Sequence, residues 1–368
     1  MQKEKAIIFG MGGNYRKHKS KLEKEYQIVA LIDNNVAKQG LNNKTGEMIY
    51  SIDILNKIEY DKVIVTTLST TEIFNQLLGF GISVGKIILI EKQLVIENYR
   101  KIWGNYLPSK DEKLCSSVCR PSDFEKIPQW KEWGLTSTHR KEWEFIYIYQ
   151  ALKERGVLKI GSKGLGFAVG KEPLPSVFAN EGSNILATDC PAEIMHTGWE
   201  ETNQYSKNKH ELHYSNLVSE EIFEKNVSFE SIDMRSIPHT LTGFDFLWSS
   251  CALEHLGSIT AAKYFIERCM DCLKPGGIAV HTTEYNLSSM SNTQNYDHSV
   301  FLRSIDFIEI YEGLVKQGHS PEPLDFRLDN SKYDNVISYD SISRPHFKVY
   351  SNDFIVTSFG LIIRKGEK

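Results

Sequence analysis

Residues 164–189 read GLGFAVGKEPLPSVFANEGSNILATD, and the order of their apolar, glycine-bearing and polar pieces decides the fold. Leu165 to Ala168 is a short buried strand, Val169-Gly170-Lys171-Glu172 is a tight turn, and a helix opens at Pro173. Proline suits the first helical turn, where its missing N–H costs nothing. A second strand, Asn184 to Thr188, ends on Asp189. In such a unit glycine lets backbone approach a ligand, and the helix start offers unpaired N–H groups. An acid about 20 residues past the turn, at the tip of the next strand, is placed to accept hydrogen bonds from the hydroxyls of a ribose. The pattern predicts a nucleoside-cofactor site without choosing the cofactor. A strand–turn–helix–strand unit that binds nothing is the alternative.

The pattern continues outward on both sides. Val227 to Ile232 is a strand followed by Asp233-Met234, and Phe244 to Trp248 leads into Ser249-Ser250-Cys251-Ala252-Leu253-Glu254-His255. Ser258 caps a helix running to Leu273, Lys274-Pro275-Gly276-Gly277 breaks it, and Ile278 to Thr282 is a fifth strand. Four successive strands ending at Gly170, Asp189, Asp233 and Ser249-Ser250 line one edge of a doubly wound sheet, where ligands bind. Upstream, Trp143 to Arg155 is an amphipathic helix closed by Gly156. Downstream, Leu324 to Leu328 and Ile355 to Ile363 read as an antiparallel hairpin around a polar loop, Asp329 to Asp353. That loop and the Asn- and Ser-rich stretch 285–300 are candidate lids.

On these residues, the chain from about 141 to 366 resembles class I S-adenosylmethionine-dependent methyltransferases. The helix–LKPGG–strand passage and TGFDFLWSSCALEHL carry the likeness. It implies a seven-stranded sheet with a C-terminal antiparallel hairpin. It also implies that Ala168, Gly170, Glu172 and Pro173 form the cofactor turn, and that Asp189, followed by Cys190, holds the ribose. Asp233 and Met234 then face the adenine, and Ser249 and Ser250 the methionine portion. The sequence departs from the family at Gly166, where an acid is usual, and at Ala168 and Glu172, where glycines are usual. Contacts to the cofactor's amino group are thereby left unassigned.

Methyl transfer from a sulfonium is an in-line displacement, so the protein's task is mainly alignment. A hydroxyl acceptor also needs its proton removed, worth about 10²–10⁴ in rate. His255, at the rim after the fourth strand, is the first candidate base; Glu284, Glu254 and His281 are the others. The structural alternative is that Glu254 pairs within its loop and His255 packs against the sheet. His281 to Asn286 (HTTEYN), with Asp297-His298, is also similar to the metal-dependent methyltransferases of small-RNA terminal ribose. By that likeness Glu254, His255 and His298 match three ligands of a divalent ion, but Cys251 stands where another glutamate belongs. Hard ions prefer oxygen, so a metal is not favoured and no ligand set is assigned.

The first 97 residues alternate short apolar strands (Lys5 to Phe9, Ile28 to Ile32, Val63 to Val65, Ile87 to Ile90) with helical stretches, which predicts a parallel sheet with crossovers. Their turn, Gly10-Met11-Gly12-Gly13, is a partial dinucleotide fingerprint with Tyr15 in place of the third glycine. The segment resembles the small Rossmann-like domains attached to bacterial sugar-modifying enzymes, including some acetyltransferases and glycan methyltransferases. The likeness implies a nucleotide or nucleotide-sugar at Gly10, Gly12 and Asp33, or else a domain kept for docking and homo-oligomerisation. Residues 98–140, with Trp103, Tyr106, Trp130 and Trp133, are too aromatic for a flexible tether.

Composition sets the remaining bounds. At 368 residues, 41% hydrophobic and 24% charged, the chain has room for two globular domains. No apolar run approaches the roughly 18 residues of a membrane span, and no basic–apolar leader opens the chain, so a cytoplasmic protein is expected. Six scattered cysteines make no disulfide framework, and the pairs Cys115/Cys119 and Cys269/Cys272 lack zinc-site companions. Residues 1–97 hold 13 Lys and Arg against 11 Asp and Glu, leaving 30 against 36 beyond. An acidic second domain disfavours nucleic acid as partner. The expectation is α/β: two Rossmann-like domains, 1–97 and 141–368, joined by 98–140. The expected activity is O-methylation of a sugar or nucleotide-linked glycan in surface polysaccharide biosynthesis, with S-adenosylmethionine as donor. The alternatives are metal-assisted RNA ribose methylation and an inactive scaffold.

Overall fold

The computed structural model describes residues 3–42, 45–67, 70–108, 112–195, 204–296 and 299–367. The chain divides into two compact units: 1–98 with 337–343, and 99–336 with 344–368.

In the first unit, strands β1 (Lys5–Phe9), β2 (Gln27–Ile32), β3 (Gly40–Leu41), β4 (Met48–Tyr50), β5 (Lys62–Val65) and β6 (Ile87–Leu89) form a sheet in the order β3-β4-β2-β1-β5-β6. All neighbours are parallel except β3 and β4. Ile7, Phe9 and Val63 face one apolar layer and Ala6, Ile8 and Ile64 the other, which explains strands that are apolar without alternation. The β3–β4 hairpin gave no such signal because most of it is exposed. At the strand ends Gly10 has φ of +102°. Asp33 accepts hydrogen bonds from Met11 N (2.8 Å), Asn35 N (2.9 Å) and Lys38 Nζ (2.8 Å), so its carboxylate is engaged by its own loop.

The second unit is built on β7 (Ser116–Val118), β8 (Lys163–Phe167), β9 (Asn184–Asp189), β10 (Val227–Ser231), β11 (Phe244–Ser250), β12 (Leu273–Asn286) and a closing strand, Phe354–Arg364. The order is β10-β9-β8-β11-β12-closing strand, with β8 to β12 parallel and the closing strand antiparallel. The direction of winding reverses between β8 and β11, and the crevice at such a switch point takes ligands. Lys274 to Gly277 form a bulge within β12 rather than a break before it: Phe244 lies opposite Leu273, and Phe246 opposite Ile278.

The expected terminal hairpin is corrected. Leu324–Asp325 pairs in parallel with β7, and the hairpin partner of the closing strand is Lys348–Ser351. Asp325 accepts from Arg327 N at 3.0 Å, a local turn that stops the apolar run at 324–328 from extending as a strand. The outer edge of the closing strand is shared by three short segments: Lys348–Ser351, β7 and Ser320–Pro321. Tyr147 lies across Gly360, where a Cβ would sit 2.1 Å from its ring. The candidate lid at 329–353 is also corrected. Asp334 is fully buried between Arg100 (2.9 Å) and the Lys348 ammonium, and Asp329 accepts from Ser122 N at 2.6 Å, so these parts of the loop are anchored in the fold. Asp297 and His298 lie outside the described residues. Among the described residues no helix is long and apolar enough to cross a membrane.

Candidate active site

A cavity of about 420 Å³ opens past the ends of β8, β9, β10 and β11. Its wall includes Ala168, Gly170 and Glu172 from the first turn, Asp189 at the end of β9 with Cys190 after it, Asp233 and Met234 after β10, and Ser250 at the end of β11 with His255 after it. The size suits a small-molecule site.

The backbone of the first turn is committed to this shape. Gly170 has φ of +51°, and a Cβ there would stand 2.5 Å from the carbonyl oxygen of Gln204. Ala168 (φ 48°) and Cys251 (φ 45°) hold the left-handed conformation without being glycine, at a cost of about 1–2 kcal/mol each. Both border the cavity, and such strain gathers at functional sites.

Asp189 points into this turn. Its Oδ2 accepts from Gly170 N (3.1 Å) and Ser206 N (3.0 Å), and its Oδ1 from Cys190 N (2.8 Å). A carboxylate offers about four lone-pair sites, so one on Oδ1 remains. Burial pushes the acid up to about 6, against the three backbone N–H groups. Asp233 is held in a bidentate pair by Arg235 (3.0 and 2.8 Å), which outweighs its burial and lowers its pKa. His255 is half-buried in the turn after β11.

Five expected residues do not line the cavity. Ser249 and His281 project from the opposite face of the sheet to Ser250: Ser249 Oγ meets His281 Nδ1 at 2.8 Å, and Cys269 Sγ lies 3.5 Å from the other ring nitrogen. Burial depresses His281 to about 3, so it is a neutral core residue rather than a base. Pro173 sits at the N-cap of the Leu174–Asn180 helix. Glu254 is buried and accepts from Thr283 Oγ1 at 3.0 Å. Glu284 pairs with the Arg140 guanidinium, and its second oxygen has no hydrogen-bond partner within the described residues. Burial raises Glu284 to about 7 despite Arg140.

The helix before β8 contributes what the sequence did not announce. It begins at Arg140, not Trp143, because His139 accepts a hydrogen bond from Lys141 N at 2.9 Å through Nδ1. Histidine is not a usual cap, so the extra turn carries no sequence signal. Lys141 and Phe145 line the cavity. Behind them Glu144, fully buried, accepts from Ser250 Oγ (3.1 Å), Cys251 Sγ (3.0 Å), Thr282 Oγ1 (3.3 Å) and Ser358 Oγ. Cys251, Glu254 and Glu284 bring ligand atoms within 4.8 Å of one another. Arg140 stands against this cluster, paired with Glu284 and 3.6 Å from Cys251 Sγ, so the protein supplies a cation of its own.

The glycine at 166 also acquires a cause. A Cβ there would lie 2.5 Å from the Trp248 indole, whose Nε1 donates to Glu172 at 2.5 Å. Gly166→Ala is expected to destabilise the protein by about 1–3 kcal/mol through overpacking. It should lower the urea midpoint with little change in slope. An unchanged midpoint contradicts the placement of the indole.

Residues 2–88 match the family model described as C2185-like, N-terminal. No curated protein matches the chain. Similar solved structures include a protein provisionally assigned as a sarcosine dimethylglycine methyltransferase from Galdieria sulphuraria. It has 15% identity and TM-score 0.41, with 74% of this chain and 97% of that one covered. An S-adenosylmethionine-dependent methyltransferase from Clostridium acetobutylicum gives 10%, 0.36, 66% and 96%. DhpI, solved with SAM and HEP, gives 14%, 0.34, 75% and 97%.

Proposed function

We propose that the chain is an S-adenosylmethionine-dependent methyltransferase acting on a hydroxyl of a sugar or nucleotide-linked glycan. The observation supporting it is that four strand-end residues singled out by their sequence context, Gly170, Asp189, Asp233 and Ser250, border one cavity at the switch point of the sheet. The donor, when bound, supplies an activated methyl group and its own leaving group. Asp189 accepts a hydrogen bond from the ribose, Met234 and Asp233 flank the adenine, and Ser250 borders the methionine portion. His255, on the cavity wall, takes the proton from the acceptor hydroxyl. The glycan acceptor rests on the resemblance of the first unit, a fold-level analogy.

The test is calorimetry with S-adenosylhomocysteine, then transfer of labelled methyl from the donor to nucleotide-sugar, polysaccharide and RNA fractions. Saturable binding with label in a sugar fraction is the expected result. Label in RNA alone removes the glycan acceptor, and absence of binding removes the donor.

Because Arg140 already neutralises the Cys251–Glu254–Glu284 cluster, titration with Mn²⁺ is expected to give no stoichiometric binding. Arg140→Ala, which leaves Glu284 and Glu144 without that cation, is expected to acquire it. Tight binding by the unaltered protein contradicts this account of the cluster.

A further inference from the structure

One ion pair beside the cavity is only half made. Arg140, on the first turn of the helix before β8, meets Glu284, near the end of β12, through Nη2 and Oε1 alone. Its Nη1 is engaged by Ser358 Oγ (3.1 Å) and Glu144 (3.4 Å). Nε of Arg140 and Oε2 of Glu284 are both buried and have no hydrogen-bond partner among the described residues. Arginine and carboxylate commonly match edges in two parallel hydrogen bonds, so one donor and one acceptor stand unused here. Each unpaired buried group costs about 1–3 kcal/mol, and two on one pair call for a cause. Glu284 is 9% exposed and each side chain keeps 12% of its surface open, so the pair is not sealed into the core. Cys251 ties it to the cavity. That residue lines the wall, and its sulfur lies 3.6 Å from Arg140 Nη1 and within 4.8 Å of a carboxylate oxygen of Glu284.

We propose that this half-made pair is a hydroxyl subsite for the acceptor, in which a second hydroxyl of the molecule being methylated donates to Oε2 of Glu284 and accepts from Nε of Arg140. This deepens the hydroxyl-acceptor reading and rests on it. A hydroxyl fits because one group carries both a donor and acceptor lone pairs. A carboxylate or phosphate satisfies Arg140 but is repelled by Glu284, and an ammonium meets the reverse conflict. An apolar group satisfies neither atom.

Both partners sit on rigid elements. β12 is paired on both sides, and the helix start is capped by His139, so the unused donor and acceptor keep their places in the empty protein. An acceptor without a second hydroxyl leaves both atoms unpaired, and a site built to hydrogen-bond a hydroxyl rejects such an analogue steeply. The class selected is therefore polyhydric, such as sugars, riboses and cyclitols, rather than simple alcohols or phenols.

The experiment uses the full chain and two conservative variants. Glu284→Gln keeps an oxygen for Nη2 of Arg140 but puts a donor where Oε2 stood, and Arg140→Lys keeps the cation but removes Nε–H. Transfer of labelled methyl from S-adenosylmethionine is followed over a range of concentrations of whichever fraction, sugar, polysaccharide or RNA, takes the label. Each variant is expected to raise the apparent KM for that fraction about 10- to 100-fold, the range for one hydrogen bond to a charged group, with kcat little changed. Calorimetry with S-adenosylhomocysteine should give the same affinity as the unaltered protein, which also certifies that the variants are folded. An unchanged KM in both variants leaves the gap to a bound water and overturns the subsite while the methyltransferase reading stands. Loss of S-adenosylhomocysteine binding in both, or a fall in kcat at constant KM, makes the pair structural and overturns it too. If the unaltered protein binds S-adenosylhomocysteine but labels no fraction, the hydroxyl-acceptor reading fails and takes the subsite with it. If it does not bind S-adenosylhomocysteine, the donor assignment is what fails, and the subsite falls with it.

Discussion

Asp189→Ala should weaken S-adenosylhomocysteine by about 100-fold or more, roughly 3 kcal/mol, to the edge of calorimetric detection. A charge-assisted hydrogen bond contributes about 1.5–3 kcal/mol, and the free lone pair on Oδ1 offers one to the ribose. The remainder comes from the turn itself. Without the carboxylate, the N–H groups of Gly170, Cys190 and Ser206 lose their shared acceptor, and the wall they shape loosens. Asp189→Asn keeps the volume but points a donor at donors, so it should also bind poorly.

The unaltered protein adds a pH dependence. Hydroxyls donate best to the ionised acid, so affinity should fall as pH drops through about 6, where Asp189 takes up its proton. Stability of the empty protein carries the opposite sign. An acid raised by folding holds its proton longer in the native state, so its contribution declines between about pH 4 and about 6 as pH rises. Unchanged affinity in Asp189→Ala removes the ribose assignment.

The largest effect on stability is expected at Glu144. Its carboxylate, fully buried, is the shared acceptor for Ser250, Cys251, Thr282 and Ser358 and the counter-charge for Arg140 and Lys141. Removing one partner from such a buried network costs about 3–5 kcal/mol, because the others stay behind desolvated. Thermal unfolding of Glu144→Ala should fall by roughly 6–20 °C for a unit of this size. Burial would raise this acid, yet Lys141, Arg140, Cys251 and Ser358 outweigh it and hold its pKa below the usual value. Its contribution is therefore complete above the ordinary carboxylate range and lost as pH falls through the lowered value. A melting point within about 2 °C of the unaltered protein rules out this role.

What the sequence disclosed follows from how local each signal is. The turn at Gly170 and the acid at Asp189 belong to one contiguous strand–turn–helix–strand unit, so spacing alone located both on the cavity wall. Ser249 and His281 misled because β11 and β12 are buried on both faces and show no alternation to assign a side. Glu144 had no signal at all, since its acceptor role joins residues as far apart as Ser250 and Ser358. The glycine at 166 looked like a defect in a motif until Trp248 was seen to occupy its space.

The patchwork along Phe354–Arg364 has a consequence for how the chain comes together. Segments around residues 117, 321 and 350 all wait for a ladder that is synthesised after them. A nascent chain halted before residue 354 therefore leaves three short segments without their common ladder and a bare flank on β12, the kind of open border through which sheets recruit strangers. Completion of the second unit waits for Phe354–Arg364, with long-range pairing that is intrinsically slow.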